Sequence, residues 1–227
     1  MNRHACAAAL PVFLLIGAAL PVVSAAGDMN TSNLALPYNP SSSSEDATSM
    51  LVNPSSLAIA SDLQFVYFHN QFNAASPSGD AFLLQLGWLG FGAQYVRPES
   101  GWAKADYVKY SIPFGVPLGE YVSIGAGLEI LQPLDSHGTA VSWSVGAVAR
   151  PIRYLSLAVT GENLGSPAPF GHKLSPELTM GAGFRPVGEV LTVSADWHYT
   201  SDRHSPPAEF FFRLMPVKGL AVQAMVN

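Results

Sequence analysis

A proline-led phrase recurs four times in the second half of the chain, and it constrains the fold more than any other feature. Each copy begins at a proline, namely Pro117, Pro151, Pro186 or Pro216, and continues into a run in which large apolar residues alternate with small or polar ones. The prolines lie 34, 35 and 30 residues apart. A regular return of this length indicates one structural unit that is used repeatedly.

The repeat length accommodates a hairpin of two membrane-crossing strands. Two strands of about 9 to 11 residues leave room for one short turn and one longer loop. The proline turns are short, whereas the connections at the opposite end, 132–138, 164–173 and 200–207, are longer and rich in Gly, Pro, Ser and charge. This asymmetry is typical of outer-membrane barrels. The sequence predicts eleven strands: 63–72, 80–88, 90–97, 104–113, 120–131, 139–149, 154–163, 174–185, 190–199, 207–215 and 219–227.

The alternation gives each strand two different faces. Within 122–130, the even positions are large or apolar and the odd positions are Ser, Gly or Glu. Only 12% of the residues are charged and 48% are hydrophobic, which leaves little charge to solvate the outside of a soluble barrel and its loops. We therefore predict an all-β, antiparallel up-and-down transmembrane β-barrel, with the apolar face in lipid and the Gly/Ser/Thr face lining the lumen. A soluble periplasmic β-sandwich is the alternative.

The two ends of the chain suggest export and an incomplete barrel. Residues 1–26 have a basic start, an apolar run and small residues for cleavage, as a signal peptide does, so we expect localisation in the cell outer membrane. The lone Cys6 falls within this segment, so we expect no disulfide in the mature chain. The last residues stop within an alternating strand, and eleven is odd, whereas bacterial single-chain barrels have an even number of strands. We expect 61–227 to be the front part of a longer barrel.

Residues 27–60 are predicted to form a lead and a short helical hatch. Asp46 can cap a short helix that ends at Asn53, and Pro54 suits the first position of a second turn that contains Leu57. This run of small residues has the size of a plug at the mouth of a barrel. The Gly-rich luminal faces leave room for it.

These residues carry a resemblance. Asp46-Ala-Thr followed by Asn53-Pro-Ser-Ser-Leu-Ala58 resembles the hatch motif Asp-Ala-(Ser/Thr)…Asn-Pro-Ala-(Gly/Ser)-Leu-Ala of the FadL/PorV superfamily of outer-membrane barrels, with Ser55 at the usual Ala position. The end of the strand at 159–165 is similar to the Asn-Leu-Gly strand end of the PorV-like branch. The pattern over 46–227 also resembles the barrel-like N-terminal region of some myxobacterial-type SppA signal peptide peptidases.

The resemblance implies one of two membrane roles. A FadL/PorV-like protein would act in hydrophobic-solute transport or as a membrane adaptor or anchor, with outer-membrane lipid and either a hydrophobic small molecule or a secreted protein as partners. The SppA-like likeness implies a barrel-like module of a longer peptidase whose catalytic part has no counterpart here. A soluble periplasmic β-protein that binds a partner is the third hypothesis.

One polar patch is predicted on the luminal face. Glu129, Glu162, His198 and Asn227 fall on that face at similar heights. Together with Asp196 they would contact the hatch, water or a solute, or be polar only because the lumen is wet. We find no catalytic constellation and expect no cofactor and no metal site, since Asp196 and His198 lack tight ligand spacing. The net charge of −5 argues against a nucleic-acid partner.

Overall fold

A computed structural model describes residues 39–59, 62–70, 78–97, 106–135, 138–171, 173–188, 190–200, 208–217 and 220–226. Within these ranges the chain is all-β and contains no α-helix; it has three short 3₁₀ helices, at Ala47–Leu51, Pro54–Ala58 and Pro169–Gly171. The predicted signal peptide lies outside the described residues.

Eleven strands form one antiparallel sheet in which each strand pairs with its sequence neighbours. They are β1 (Leu63–Asn70), β2 (Ser78–Leu86), β3 (Leu89–Arg97), β4 (Tyr107–Leu118), β5 (Val122–Pro133), β6 (Ala140–Ile152), β7 (Leu155–Leu164), β8 (Glu177–Phe184), β9 (Leu191–Thr200), β10 (Ala208–Val217) and β11 (Leu220–Val226). The prediction of an all-β, up-and-down arrangement of eleven strands is confirmed. The sheet is open, because β1 and β11 are not paired with each other.

Three of the four prolines of the repeat lie within a strand, each one residue before its end, and not in a turn. Pro117 lies inside β4, which runs five residues beyond its predicted end at 113, and it pairs with Ser123 of β5. Pairing of β4 with β3 stops at Phe114, so the missing N–H of Pro117 lies beyond the ladder with β3. Pro151 and Pro216 likewise lie inside β6 and β10, where the pairing with the next strand shifts register.

The connections differ in length between the two ends of the sheet. One end, called the turn end here, carries the connections 87–88, 119–121, 153–154, 185–190 and 218–219, which have two to six residues. The other end, the loop end, carries 71–77, 98–106, 134–139, 165–176 and 201–207, which have six to twelve residues. The predicted asymmetry of turns and loops is therefore confirmed.

Burial is inverted relative to a soluble β-protein. Along β8, for example, Glu177 and Thr179 are buried, whereas Leu178 and Met180 expose 39% and 51% of their surface. The described residues include 26 buried polar or charged residues, only 14 buried hydrophobic ones and 36 exposed large hydrophobic ones. A soluble domain shows the reverse preference. The polar face of the sheet is thus its inner face, and the apolar face is its outer face.

The inner face has three levels from the turn end to the loop end. Residues 39–59, called the inner segment here, cover the turn-end level. Charged side chains occupy the middle level. At the loop end, Leu174 completes an apolar cap with residues of five strands and no exposed member. The apolar cap consists of Ala81, Val96, Tyr107, Leu131, Ala140 and Leu174.

The turn between β4 and β5 contains a glycine in a backbone conformation that other residues adopt only at a cost in free energy. Gly119 has φ +77°, and no atom lies within 4 Å of the position its Cβ would take. Gly119→Ala should therefore lower the free energy of unfolding by about 1 kcal/mol through backbone strain alone. Gly138→Ala is the matched control, because Gly138 has equally open surroundings without a left-handed φ. Equal denaturation midpoints for the two variants would contradict this explanation.

Candidate functional site

The inner segment is built from two capped 3₁₀ helices. Asp46 precedes the first, and its carboxylate accepts a hydrogen bond of 2.9 Å from the Thr48 backbone N–H. Asn53 precedes the second, and its Oδ1 accepts hydrogen bonds from the Ser55 N–H at 3.1 Å and from the Ser55 hydroxyl at 2.6 Å. Pro54 occupies the first helical position, where no N–H is needed. These local bonds explain why this polar stretch folds into compact turns.

Glycines in the sheet allow the second 3₁₀ helix to lie directly against β4, β5 and β6. A Cβ on Gly115 would lie 2.8 Å from the Pro54 carbonyl oxygen, and a Cβ on Gly125 would lie 2.6 Å from the Pro54 carbonyl carbon. A Cβ on Gly146 would overlap Oδ1 of Asn53. Both separations are shorter than nonbonded atoms tolerate, so any side chain at these positions would displace the helix.

The four predicted hatch residues all lie in the inner segment and contact the sheet or brace the segment. Asn53 is fully buried, and its Nδ2 donates to the Ser41 carbonyl at 3.3 Å. Leu57 is also fully buried, in an apolar cluster with Met50 and Leu83. The position of the segment agrees with a plug, while its action as a hatch stays a prediction.

Residues 41–43 are joined to the other half of the sheet by polar contacts. The Ser41 N–H and hydroxyl donate to the two carboxylate oxygens of Asp196, at 2.6 Å and 3.0 Å. The hydroxyls of Ser43 and Ser194 lie 2.7 Å apart, and the Ser156 hydroxyl donates to the Ser42 carbonyl at 2.5 Å. The inner segment therefore binds strands from β4 to β9.

An ionic bridge holds the end of this stretch at the turn end. The carboxylate of Glu45 pairs with the guanidinium groups of Arg150 on β6 and Arg185, which directly follows β8; the Arg185 Nη1 to Glu45 Oε1 distance is 2.5 Å. Arg185 also donates to the Ser43 carbonyl at 3.2 Å. Sequence reasoning missed this bridge, because Glu45 reads only as the end of a serine run.

The middle level of the inner face contains a charged band, defined as Lys109, Glu129, Glu162, Glu177, His198 and Glu209. Nζ of Lys109 lies 2.9 Å from Oε1 of Glu129, and the two side chains are only 1% and 7% exposed. Nδ1 of His198 lies 2.9 Å from Oε1 of Glu177, and its Nε2 lies 3.6 Å from Oε2 of Glu209. Glu162 pairs in register with Glu177 between β7 and β8, which places it between the two ion pairs.

The structure divides the predicted luminal patch into two parts. Glu129, Glu162 and His198 belong to the charged band, whereas Asp196 binds Ser41 of the inner segment. The sequence interpretation missed Lys109, the ion-pair partner of Glu129. Its position two residues before Ser111, on the same face of β4, was the available signal.

Comparisons with known proteins found no matching family, no matching curated protein and no matching solved structure. Among the described residues, no helix is long and apolar enough to cross a membrane. In the same part of the chain, no three His, Cys, Asp or Glu side chains are grouped so as to hold a metal ion.

Because the inner segment lies directly against the sheet at Gly146, we expect substitution of this glycine to destabilise the protein. Gly146→Ala should lower the free energy of unfolding by about 1 to 3 kcal/mol, because the added methyl group overlaps the side chain of Asn53. Limited proteolysis should then cut within 39–59 faster than in the unsubstituted protein. Gly161→Ala is the matched control on β7, since its Cβ would meet no atom closer than 3.7 Å. Equal cleavage rates in both variants would contradict the close approach.

The buried ion pair gives a second prediction. Lys109→Met should lower the free energy of unfolding by about 3 to 5 kcal/mol, because it leaves the Glu129 carboxylate buried without its partner. The double variant Lys109→Met/Glu129→Leu should recover most of that loss. A double-mutant cycle in chemical denaturation measures both effects. If the double variant were less stable than Lys109→Met alone, the pairing would not be the cause.

Proposed function

We propose that this chain is the lipid-embedded part of an outer-membrane β-barrel protein, with the inner segment as its plug. The observation that carries the proposal is the inverted burial: a continuous sheet exposes its large apolar side chains on one face and buries polar ones on the other. A contiguous apolar surface of this kind on a single sheet needs a covering phase, and lipid is the one that matches alternating strands.

The dimensions of the outer face support a membrane setting. On β5 the outward residues from Val122 to Ile130 cover about 26 Å along the strand at roughly 3.3 Å per residue. At the usual strand tilt of about 40° this corresponds to about 20 Å of height, most of the roughly 25 Å apolar band of outer-membrane barrels. Exposed aromatic residues flank this face at both ends: Trp88 and Tyr121 at the turn end, and Tyr67 and Tyr199 toward the loop end. Aromatic side chains favour the two membrane interfaces.

The open edges set a condition on the proposal. Unpaired backbone N–H and C=O groups are too costly in hydrocarbon, so only a closed barrel crosses a bilayer with strands. The free edges of β1 and β11 must therefore be paired when the protein is in the membrane, by each other or by further strands.

Within this class, the interior favours a membrane adaptor or anchor over a channel for hydrophobic solutes. A route for an apolar solute needs an apolar path, whereas the described interior places the inner segment, then the charged band, across it. The apolar cap covers the loop end beside β2 to β6. The resemblance of 46–58 to the FadL/PorV hatch motif agrees with this role, and the adaptor would hold a secreted protein or a linked enzyme at the membrane.

Cell fractionation tests the membrane placement. The protein, expressed with its N-terminal residues in a diderm bacterium, should stay in the outer-membrane fraction after a carbonate wash and should migrate differently on gels before and after heating. Release by osmotic shock would instead support the soluble periplasmic alternative and would contradict the proposal.

Cysteine labelling tests the orientation of the faces. In a Cys6→Ser background, Val159→Cys on the outer face, where position 159 is 41% exposed on the protein itself, should be shielded by lipid from a water-soluble maleimide in intact membranes and should react after unfolding in denaturant, because the reaction needs a thiolate in contact with water. Ala158→Cys on the inner face of the same strand should stay unreacted, since Ala158 is only 8% exposed. Preferential labelling of position 159 by a membrane-impermeant, water-soluble maleimide would show that the outer face contacts water, against the proposal.

A further inference from the structure

We propose that Arg150 and Arg185 form a socket for an acidic group of a partner protein at the turn end, and that Glu45 is the internal occupant of this socket. Residues 41–45, called the latch here, detach from the sheet when a carboxylate of the partner replaces that of Glu45. The inference rests on the adaptor role proposed above for the presence of a partner, and it names the chemistry by which that partner is recognised.

The socket carries more positive charge than its occupant neutralises. Two guanidinium groups converge on the single carboxylate of Glu45, with Nη1 of Arg185 at 2.5 Å from Oε1. Nε of Arg150 is buried and has no hydrogen-bond acceptor among the described residues. Guanidinium groups bind carboxylates strongly, often through two parallel hydrogen bonds. The socket therefore has the charge and the donors to bind the carboxylate of another chain.

Solvent reaches the socket. The side chains of Glu45, Arg150 and Arg185 are 33%, 27% and 16% exposed. They lie at the turn end, where Arg185 is the first residue of the connection 185–190. An ion pair in contact with water is weakened by solvation and by salt, so a second carboxylate can compete with Glu45 for the two arginines.

The latch carries no apolar side chain that would resist detachment. Residues 41–44 are all serines. Their hydrogen bonds to the sheet join them to Ser156, Ser194 and Asp196. Water takes over such bonds when a segment detaches, so each bond contributes little net stability.

The remainder of the inner segment is attached differently and can stay in place. Three apolar side chains that are at most 3% exposed pack there with Leu83 of β2, namely Met50, Leu51 and Leu57. Their detachment would expose apolar surface to water. Asn53, whose Nδ2 donates to the Ser41 carbonyl, also donates to the Ala147 carbonyl at 3.5 Å and keeps that acceptor when the latch leaves.

The latch is held in shape by its own hydrogen bonds. The Ser44 N–H donates to the Pro40 carbonyl at 3.2 Å, and the Ser44 hydroxyl donates to Oδ1 of Asn39 at 2.8 Å. Nδ2 of Asn39 donates in turn to the Thr48 carbonyl at 3.2 Å. Because none of these bonds involves the sheet, the turn keeps its shape and its tie to the first 3₁₀ helix after it detaches.

The latch also indicates which partner segment fits in its place. It lies against Gly181 and Gly183, where an added Cβ would overlap the Ser41 hydroxyl oxygen or lie 3.0 Å from that of Ser42. A bound segment with larger side chains has no room there. We therefore expect the partner to present a short run of small polar residues followed by a carboxylate.

Cysteine labelling of the purified protein in detergent tests the proposal. In a Cys6→Ser background, Ser42→Cys reports on the latch and Ser56→Cys is the matched control in the second 3₁₀ helix. Both serines are 1% exposed, and neither hydroxyl has a hydrogen-bond partner among the described residues. The probe is an acetylated and amidated peptide with the sequence of residues 41–45, Ser-Ser-Ser-Ser-Glu.

The peptide should accelerate the reaction of Ser42→Cys with a water-soluble maleimide and leave Ser56→Cys unreacted. A peptide that ends in Gln should need about a tenfold higher concentration, as expected for losing a hydrogen bond to a charged group. Without peptide, Glu45→Gln should raise the labelling rate at position 42 alone, because the arginines then hold the latch less tightly.

Three results would overturn the assignment. The first is equal acceleration at positions 42 and 56, which would show that the inner segment detaches as a whole. The second is an equal effect of the peptides that end in Glu and Gln, or of NaCl at the same ionic strength. The third is a labelling rate at position 42 that Glu45→Gln leaves unchanged. Because purified protein is used, these measurements can fail while membrane fractionation succeeds, and the reverse also holds.

Discussion

The close approach of one short backbone stretch to the inner face of the sheet is the contact on which the interior depends. Residues 53–55 lie so near Gly115, Gly125 and Gly146 that no side chain would fit between them. Glycine in a strand normally weakens it, since it packs nothing and costs backbone entropy. Here the absence of side chains at these glycines lets the inner segment pack directly on the backbone of the sheet, a surface called the glycine floor below. The cost in the strands is thus offset by contacts that a sheet of larger residues could not make.

The inner segment packed on this glycine floor also explains how an inner face rich in polar residues can be buried. Buried hydroxyls and carboxylates need hydrogen-bond partners, and the inner segment brings many of them. Asp196 is satisfied by Ser41, Ser194 by Ser43, and the carboxylate of Glu45 lies between two arginines. In the middle level of the inner face, Lys109 satisfies the buried carboxylate of Glu129, and there both partners come from the sheet itself.

The sequence predicted the parts of this arrangement that follow from local periodicity. Alternation and repeat spacing were enough for eleven strands, their order and the two faces. Asp46 and Pro54 were enough to place two short helical turns, while Asn53, predicted to end the first turn, instead caps the second. Proline positions misled, because a proline such as Pro117 is tolerated wherever the neighbouring strand has ended, and that point depends on register between strands. The bridge from Glu45 to Arg150 and Arg185 was out of reach, because its members are far apart in sequence and only the fold brings them together.

The bond between Ser41 and Asp196 has a consequence for the time course of folding. It joins residues 155 positions apart, so the first described residues of the chain depend on some of the last strands for their partners. Contacts of such long range form slowly, because the chain between them must lose its freedom first. Residues 41–45 must therefore wait, with their serines and glutamate in water, until β6 to β9 are assembled. The beginning of the described chain therefore cannot complete its contacts before β9, a strand far along the chain, is in place.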